Sequence, residues 1–318
     1  MWFLCITDGF CCRDGWSPIH FAASQGQDDF IKFLFILDAD INVTDKRGRS
    51  AIHFANSRCT ELLIQHRADV HKMDEDNLAP IHYAAKNGDA SKIDCLVRHG
   101  IDVNDSRYAF LNKSLIHMGA ESGYAASIDC LVKHGANVNS LDTNRRTPLM
   151  LGIVERNGGV ELVESLIKHR ADVNIADMNG QTAMHMAVEF SRSATIVVSI
   201  INCLANCGAQ MNVRDNHYRM TPIFLAPHFA NEVVMDCLIK NGADFSILHD
   251  DQKTLLHEAA RWNSVSIVDI LVKTWGFDVN IRDSVGRTPL HYAAFCPSGC
   301  HVMEYLIKHG ADVNARDK

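Results

Sequence analysis

Seventeen histidines and eleven cysteines are the side chains in this sequence best equipped for chemistry, so metal binding is the first possibility to weigh. Cys203 and Cys207 lie four apart, as do Cys296 and Cys300, the latter followed by His301. That spacing suits one face of a helix. A closed zinc site takes four ligands, and no pair with Cys-x-x-Cys spacing accompanies either couple. Cys11 and Cys12 are adjacent and offer no chelating geometry. No Gly-x-Ser-x-Gly turn presents a serine nucleophile, and neither a phosphate loop nor a Gly-x-Gly-x-x-Gly fingerprint occurs. The carboxylates cluster in polar stretches such as Asp74-Glu75-Asp76 and Asp250-Asp251, where solvent exposure is the expectation. These residues predict a chain with no catalytic site, metal, cofactor or small-molecule substrate.

The elements around them must then explain the sequence. A net charge of −7 disfavours nucleic acid or an anionic membrane as the main ligand. Hydrophobic content of 47% supports a continuously packed interior. No stretch approaches the roughly 20 apolar residues that span a bilayer. The opening Met1-Trp2-Phe3-Leu4-Cys5-Ile6 is apolar, but Asp8 interrupts it and no basic residue precedes it, so it reads poorly as a signal peptide. Several cysteines recur in equivalent settings, Asp94-Cys95-Leu96, Asp129-Cys130-Leu131 and Asp236-Cys237-Leu238. They are expected to be small buried thiols, not a disulfide framework, in an intracellular and cytoplasmic protein, with the nucleus also open.

The dominant signal is a returning phrase: Ser17-Pro18-Ile19-His20, Ala79-Pro80-Ile81-His82, Thr288-Pro289-Leu290-His291. Its fourth position falls at His20, His53, His82, His117, Met150, His185, Phe224, His257 and His291, with gaps of 33, 29, 35, 33, 35, 39, 33 and 34 residues. A unit this short cannot bury a core alone, so copies must stack side by side. The short gap implies a lost helical turn near Ser57-Arg58-Cys59, and the long one an insertion around 191–198. In the third copy Pro80 opens a helix whose narrow apolar face is Ile81, Ala84 and Ala85. Asn87-Gly88 ends it; a second helix carries Ile93, Leu96 and Val97; Arg98-His99-Gly100 closes that one. Asp102-Val103-Asn104 leads into a polar hairpin.

Phrase, glycine turn, paired apolar positions and the Gly-Ala-Asp-Val-Asn ending together resemble the ankyrin repeat over nearly the whole chain. The fold expected is an all-α ankyrin-repeat solenoid of helix-turn-helix-hairpin units. Residues 1–13 form a lead-in, and 14–318 hold about nine units: 14–43, 44–73, 74–104, 105–139, 140–174, 175–212, 213–246, 247–280 and 281–314, then the start of a further hairpin. The fourth unit departs from the pattern at its hairpin, Tyr108 to Lys113, and the seventh carries Pro227 inside its first helix. With no polar cap visible, Val302, Leu306 and Ile307 are expected to lie partly exposed.

The resemblance implies that the recurrent histidines brace hairpins, and that the chain is a non-catalytic scaffold or adaptor. Its protein partner would lie on the concave face and hairpin tips. Residues after the first helix's Ala-Ala pair line that face, which nominates Phe190, Phe229, Trp262 and Phe295, with Tyr218 and Met220 on a nearby hairpin. Aromatics there suit interface anchors. Asn104, Asn139 and Asn174, each eight residues after a leucine, match the asparagines that an asparaginyl hydroxylase modifies in such proteins. The alternative is the recognition arm of a larger enzyme, ubiquitin-ligase adaptor, channel or toxin-like protein whose other domain is missing from this chain.

Overall fold

A computed structural model describes residues 15–108, 113–155, 159–189, 193–229, 232–296 and 300–318. The expected lead-in, 1–13, lies outside them. The described residues contain eighteen α-helices and no β-strand, apart from one isolated bridge between Thr44 and Ser50. None of these helices is long and apolar enough to cross a membrane. The chain divides into two compact units, Met1–Ala171 and Asp172–Lys318.

In the first unit the helices come as consecutive antiparallel pairs: α1 (Pro18–Ser24) with α2 (Asp28–Ile36), α3 (Ala51–Phe54) with α4 (Ser57–Gln65), and α5 (Pro80–Lys86) with α6 (Ala90–Arg98). Then follow α7 (Leu115–Ser122) with α8 (Ala125–Lys133), and α9 (Pro148–Val154) with α10 (Val160–Lys168). The second unit holds α11 (Ala183–Glu189) with α12 (Ala194–Asn206), and α13 (Pro222–Leu225) with α14 (Glu232–Lys240). It ends with α15 (Leu255–Arg261) and α16 (Val265–Lys273), and α17 (Pro289–Phe295) and α18 (Cys300–Lys308).

Within each unit first helices pack on first helices and second on second, as in α5 on α7 and α6 on α8, or α15 on α17 and α16 on α18. The small residues of the phrase permit this approach. Ala84, Ala85, Ala259 and Ala260 are buried where neighbouring helices meet. Ile81, Ile93, Leu96, Leu115, Ile128 and Leu131 are fully buried between them, each worth about 1.5–3 kcal/mol relative to an exposed side chain. The thiols of Cys95, Cys130 and Cys237 are buried in equivalent places, as their recurrence predicts.

Departures in the repeat spacing have local causes. The short second gap arises because α3 stops after four residues, when Ala55 turns extended and Asn56 caps α4 by accepting from the Cys59 amide. In the long sixth gap, α12 runs for 13 residues where most second helices have nine. Pro227 converts the end of α13 into a 3₁₀ turn over Ala226–Phe229, since proline removes a helical donor. At the other irregular place Tyr108 closes a 3₁₀ turn and is buried, its carbonyl accepting from His82 Nε2 at 2.8 Å.

Two expectations fail. The hairpin carboxylates are not all solvated: Asp45, Asp74, Asp142, Asp177, Asp215 and Asp283 are buried. Each folds under its own turn to accept main-chain amides, as Asp74 Oδ1 does from Asp76 and Leu78 at 2.9 and 2.8 Å. At the last pair Val302 and Leu306 are completely buried, because α18 turns them onto α16 and α17; of the three only Ile307 is exposed.

Candidate functional site

The recurrent histidine performs the same task in both units. Its Nδ1 accepts from the backbone amide three residues earlier, at 3.1 Å from Ser17 to His20, 2.8 Å from Ala79 to His82 and 3.1 Å from Thr254 to His257. That fixes the proton on Nε2, which donates to a carbonyl of the next hairpin. His20 reaches Arg49 at 3.0 Å, His117 reaches Arg146 at 3.1 Å, His185 reaches Met220 at 3.2 Å and His257 reaches Arg287 at 3.2 Å. Burial holds His82, His117, His185 and His257 below the ordinary histidine value, and His53 down at about 4. His82, His117, His185 and His257 are thus neutral hairpin braces, whereas His53 Nε2 is buried with no hydrogen-bond partner among the described residues.

Conserving the hairpin register falls to asparagines. Asn104 donates to Gly135 O at 2.8 Å and accepts from the Asn137 amide; Asn139 donates to Arg170 O at 3.5 Å. In the second unit Asn174 donates to Gly208 O at 3.0 Å and accepts from the Gln210 amide. Asn42, Asn212 and Asn280 make the same pair of bonds. The amides brace successive hairpins at all six positions.

Potential metal ligands meet in places the cysteine spacing does not suggest. Cys296 ends α17 in an extended conformation while Cys300 opens α18, so the two do not share a helical face. Two groups on the second helices of the first unit do bring ligand atoms within 4.8 Å of one another: Glu61, Cys95 and His99, and Asp94, Cys130 and His134. Cys95 Sγ donates to Glu61 at 3.2 Å and His99 Nε2 lies 3.1 Å from it. His134 Nε2 lies 3.0 Å from Asp94. Burial and then the Glu61 hydrogen bond push the Cys95 thiol up to about 12, so it stays protonated. The pattern continues with Ser165 and His169 on Asp129, and with Cys237 and Asn241 on Asn202, where hydroxyls and amides substitute. It is therefore a bond made between neighbouring helices, whichever polar groups supply it.

A different surface gathers aromatic groups in the second unit. Trp262, 41% exposed, caps the end of α15 and stacks on His228 with ring centres 3.9 Å apart. It forms a common wall of two recesses. One, about 360 Å³, also contains Tyr218, Met220, Glu189, Asp215 and Glu258. The other, about 510 Å³, contains Phe295, Tyr292, Lys253, Arg261 and Arg287. Arg261 lies 5.6 Å from the Trp262 ring and Arg287 5.8 Å from the Phe295 ring, which is 70% exposed. The charged groups of the first recess are three acids and Arg261, and those of the second are three bases, Arg261 again among them.

A family profile described as "Ankyrin repeats (3 copies)" matches residues 19–107, 48–142, 116–215, 194–283 and 225–317 in overlapping blocks. The chain belongs to the ankyrin repeat family. It is 30% identical over 128 residues to the putative ankyrin repeat protein FPV031 of Fowlpox virus (strain NVSL), a stretch covering 38% of this chain and 36% of that one. It is 39% identical over 80 residues to delta-latroinsectotoxin-Lt1a of Latrodectus tredecimguttatus, covering 25% of this chain and 6% of the toxin. The match thus spans about a third of the viral protein and a small part of the toxin. Among solved structures, the human ASB11 ankyrin repeat domain superposes with a TM-score of 0.62 at 22% identity, covering 72% of this chain and 99% of that one. The ankyrin repeat domain of Bcl-3, described as a unique member of the IkappaB protein family, gives 0.55 at 20% identity, covering 71% and 99%. These two likenesses establish the fold, an all-α ankyrin solenoid.

Of the residues nominated from the ankyrin pattern, Tyr218, Met220 and Trp262 come together in one recess, and Phe295 faces Trp262 in the other. Phe190 and the Phe229 side chain lie outside the described residues. Sequence reasoning missed Glu258, though its position carries a signal: it follows the histidine of the phrase, where other ankyrin units here have apolar or tyrosine side chains. It also missed the carboxylate–cysteine–histidine groups, whose partners are separated by more than 30 residues.

Proposed function

We propose that this ankyrin chain is a non-catalytic scaffold or adaptor, working inside the cell, that holds a partner protein on the hairpin and first-helix face of its second unit. The carrying observation is the pair of oppositely charged recesses sharing Trp262 as a wall. Exposed aromatic groups are typical interface anchors, and charge alternating beside them selects partner and register. Tyr218, Met220 and Phe295 supply the remaining apolar contact, with Phe190 and Phe229 nominated by sequence alone. The scaffold's rigid helix pairs reduce the ordering cost of binding. No nucleic acid, membrane or small-molecule substrate enters this reading.

Affinity capture with mass spectrometry tests it. Trp262→Ala with Phe295→Ala should weaken the parent's specific partners by roughly tenfold or more, the size expected of anchor residues. Both side chains are substantially exposed, so the thermal midpoint should barely move. Retention of every partner by the double variant would reject the proposal.

A further inference from the structure

The position after the phrase's histidine is apolar or aromatic in eight places: Phe21 and Phe54, Tyr83 and Tyr292, Met118 and Met186, Leu151 and Leu225. In α15 it is Glu258. This carboxylate is 2% exposed, and its Oε1 has no hydrogen-bond partner among the described residues. Arg261 lies over the Trp262 ring at 5.6 Å. His249 stands nine residues earlier, where Tyr83 and Tyr292 find Asp74 and Asp283 to bond. Its Nδ1 instead accepts from the Asp251 amide at 3.4 Å.

Burying a carboxylate oxygen without a hydrogen-bond partner is costly. An apolar residue would fill this register without that cost, as it does elsewhere in the chain. Glu258 contributes to the recess walled by Tyr218, Met220 and Trp262, where Glu189, which accepts from Gln181, and Asp215, which accepts from its own turn, add two further carboxylates against the single Arg261. A buried acid beside exposed aromatic rings suits a positively charged side chain with an apolar stem.

We propose that this recess receives one cationic side chain, lysine or arginine, from the docked partner, with Glu258 as its acceptor and Trp262 and Tyr218 against its stem. The assignment rests on the docking reading above and specifies the partner's chemistry at one point. Glu258 is thus a specificity residue: it costs the free chain stability and returns it when a matching cation arrives.

The test uses the full chain with capped lysine amide, capped arginine amide and capped norleucine amide as probes, followed by the NMR signal of the Trp262 indole N–H. Lysine or arginine should bind at least about tenfold more tightly than norleucine, with the better of the two naming the side chain. In Glu258→Gln that preference should vanish, while the thermal midpoint stays level or rises. Glu258→Leu, which copies Leu151 and Leu225, should behave alike and covers the case of a poorly folded glutamine variant. Equal binding of all three probes, a preference surviving both substitutions, or a lower midpoint in both would overturn the assignment. The last result would mean that Glu258 is already paired within the fold. Failure here with partner capture still sensitive to Trp262→Ala and Phe295→Ala would leave the docking reading standing. An intact cation preference with insensitive capture would remove the docking reading and, with it, the docked partner as the source of the cation.

Discussion

The ammonium of Lys92 donates to the main-chain carbonyl of His53 at 3.0 Å, from one helix pair to the one before it. Lys92 is buried, and burial lowers its pKa to about 8. The contact compensates for the early end of α3: with the chain extended from Ala55, the helical donor that His53 would have met is gone. Ser127, at the same place in α8, bonds Ala85 O, and Ser264, just before α16, bonds Pro227 O, so a polar side chain here seals the neighbouring first helix. Lys92→Ala should cost about 1–3 kcal/mol by leaving that carbonyl unmet. Urea denaturation measures it, and an unchanged midpoint would contradict the account.

Acid should loosen the stack before its carboxylates titrate. His53 sits at about 4 against an ordinary 6.5, with burial the leading cause, and His82, His117, His185 and His257 shift the same way. The folded values lie below the unfolded ones, so below pH 6.5 the unfolded chain binds more protons. Stability is then fully present above about 6.5 and lost as pH falls toward 4. His53 alone accounts for about 3 kcal/mol across that window. Thermal midpoints at pH 7 and pH 5 should differ clearly; equal values would refute the burial of neutral imidazoles.

Much of this was legible in the sequence because the stack repeats its own instructions. The phrase located every first helix, the 29-residue gap announced the truncated α3, and Pro227 announced the 3₁₀ turn. Cross-repeat bonds were not legible. Glu61 meets Cys95 and His99 only because α4 and α6 lie side by side, and nothing local to either segment says so. Asp74 looked solvated beside Glu75 and Asp76, yet its carboxylate is consumed by its own turn. The exposed end of the stack was overestimated for Val302 and Leu306, whose place in the helix turns them inward whatever follows them. Trp262 and Phe295 were readable as adjacent slots after the Ala-Ala pair of successive units; the charge separating their recesses was not.

The asparagine braces leave one chemical question open to a simple measurement. We propose that Asn104, Asn139 and Asn174 accept a hydroxyl from an asparaginyl hydroxylase, as their spacing from a preceding leucine suggests. Their amides already join successive hairpins. Co-expression with such an enzyme should raise the intact mass by one oxygen atom per modified site. An unshifted mass would remove the proposal and leave the braces intact.

Hydrogen–deuterium exchange of the full chain, with and without its captured partner, tests the central claim most directly. The docking account predicts slowed exchange on binding in the hairpin and first-helix segments around Asp215–Leu225, Lys253–Trp262 and Arg287–Phe295, and little change in α4, α6 and α8. Protection confined to those second helices, with the Trp262 face exchanging as in the free chain, would contradict it.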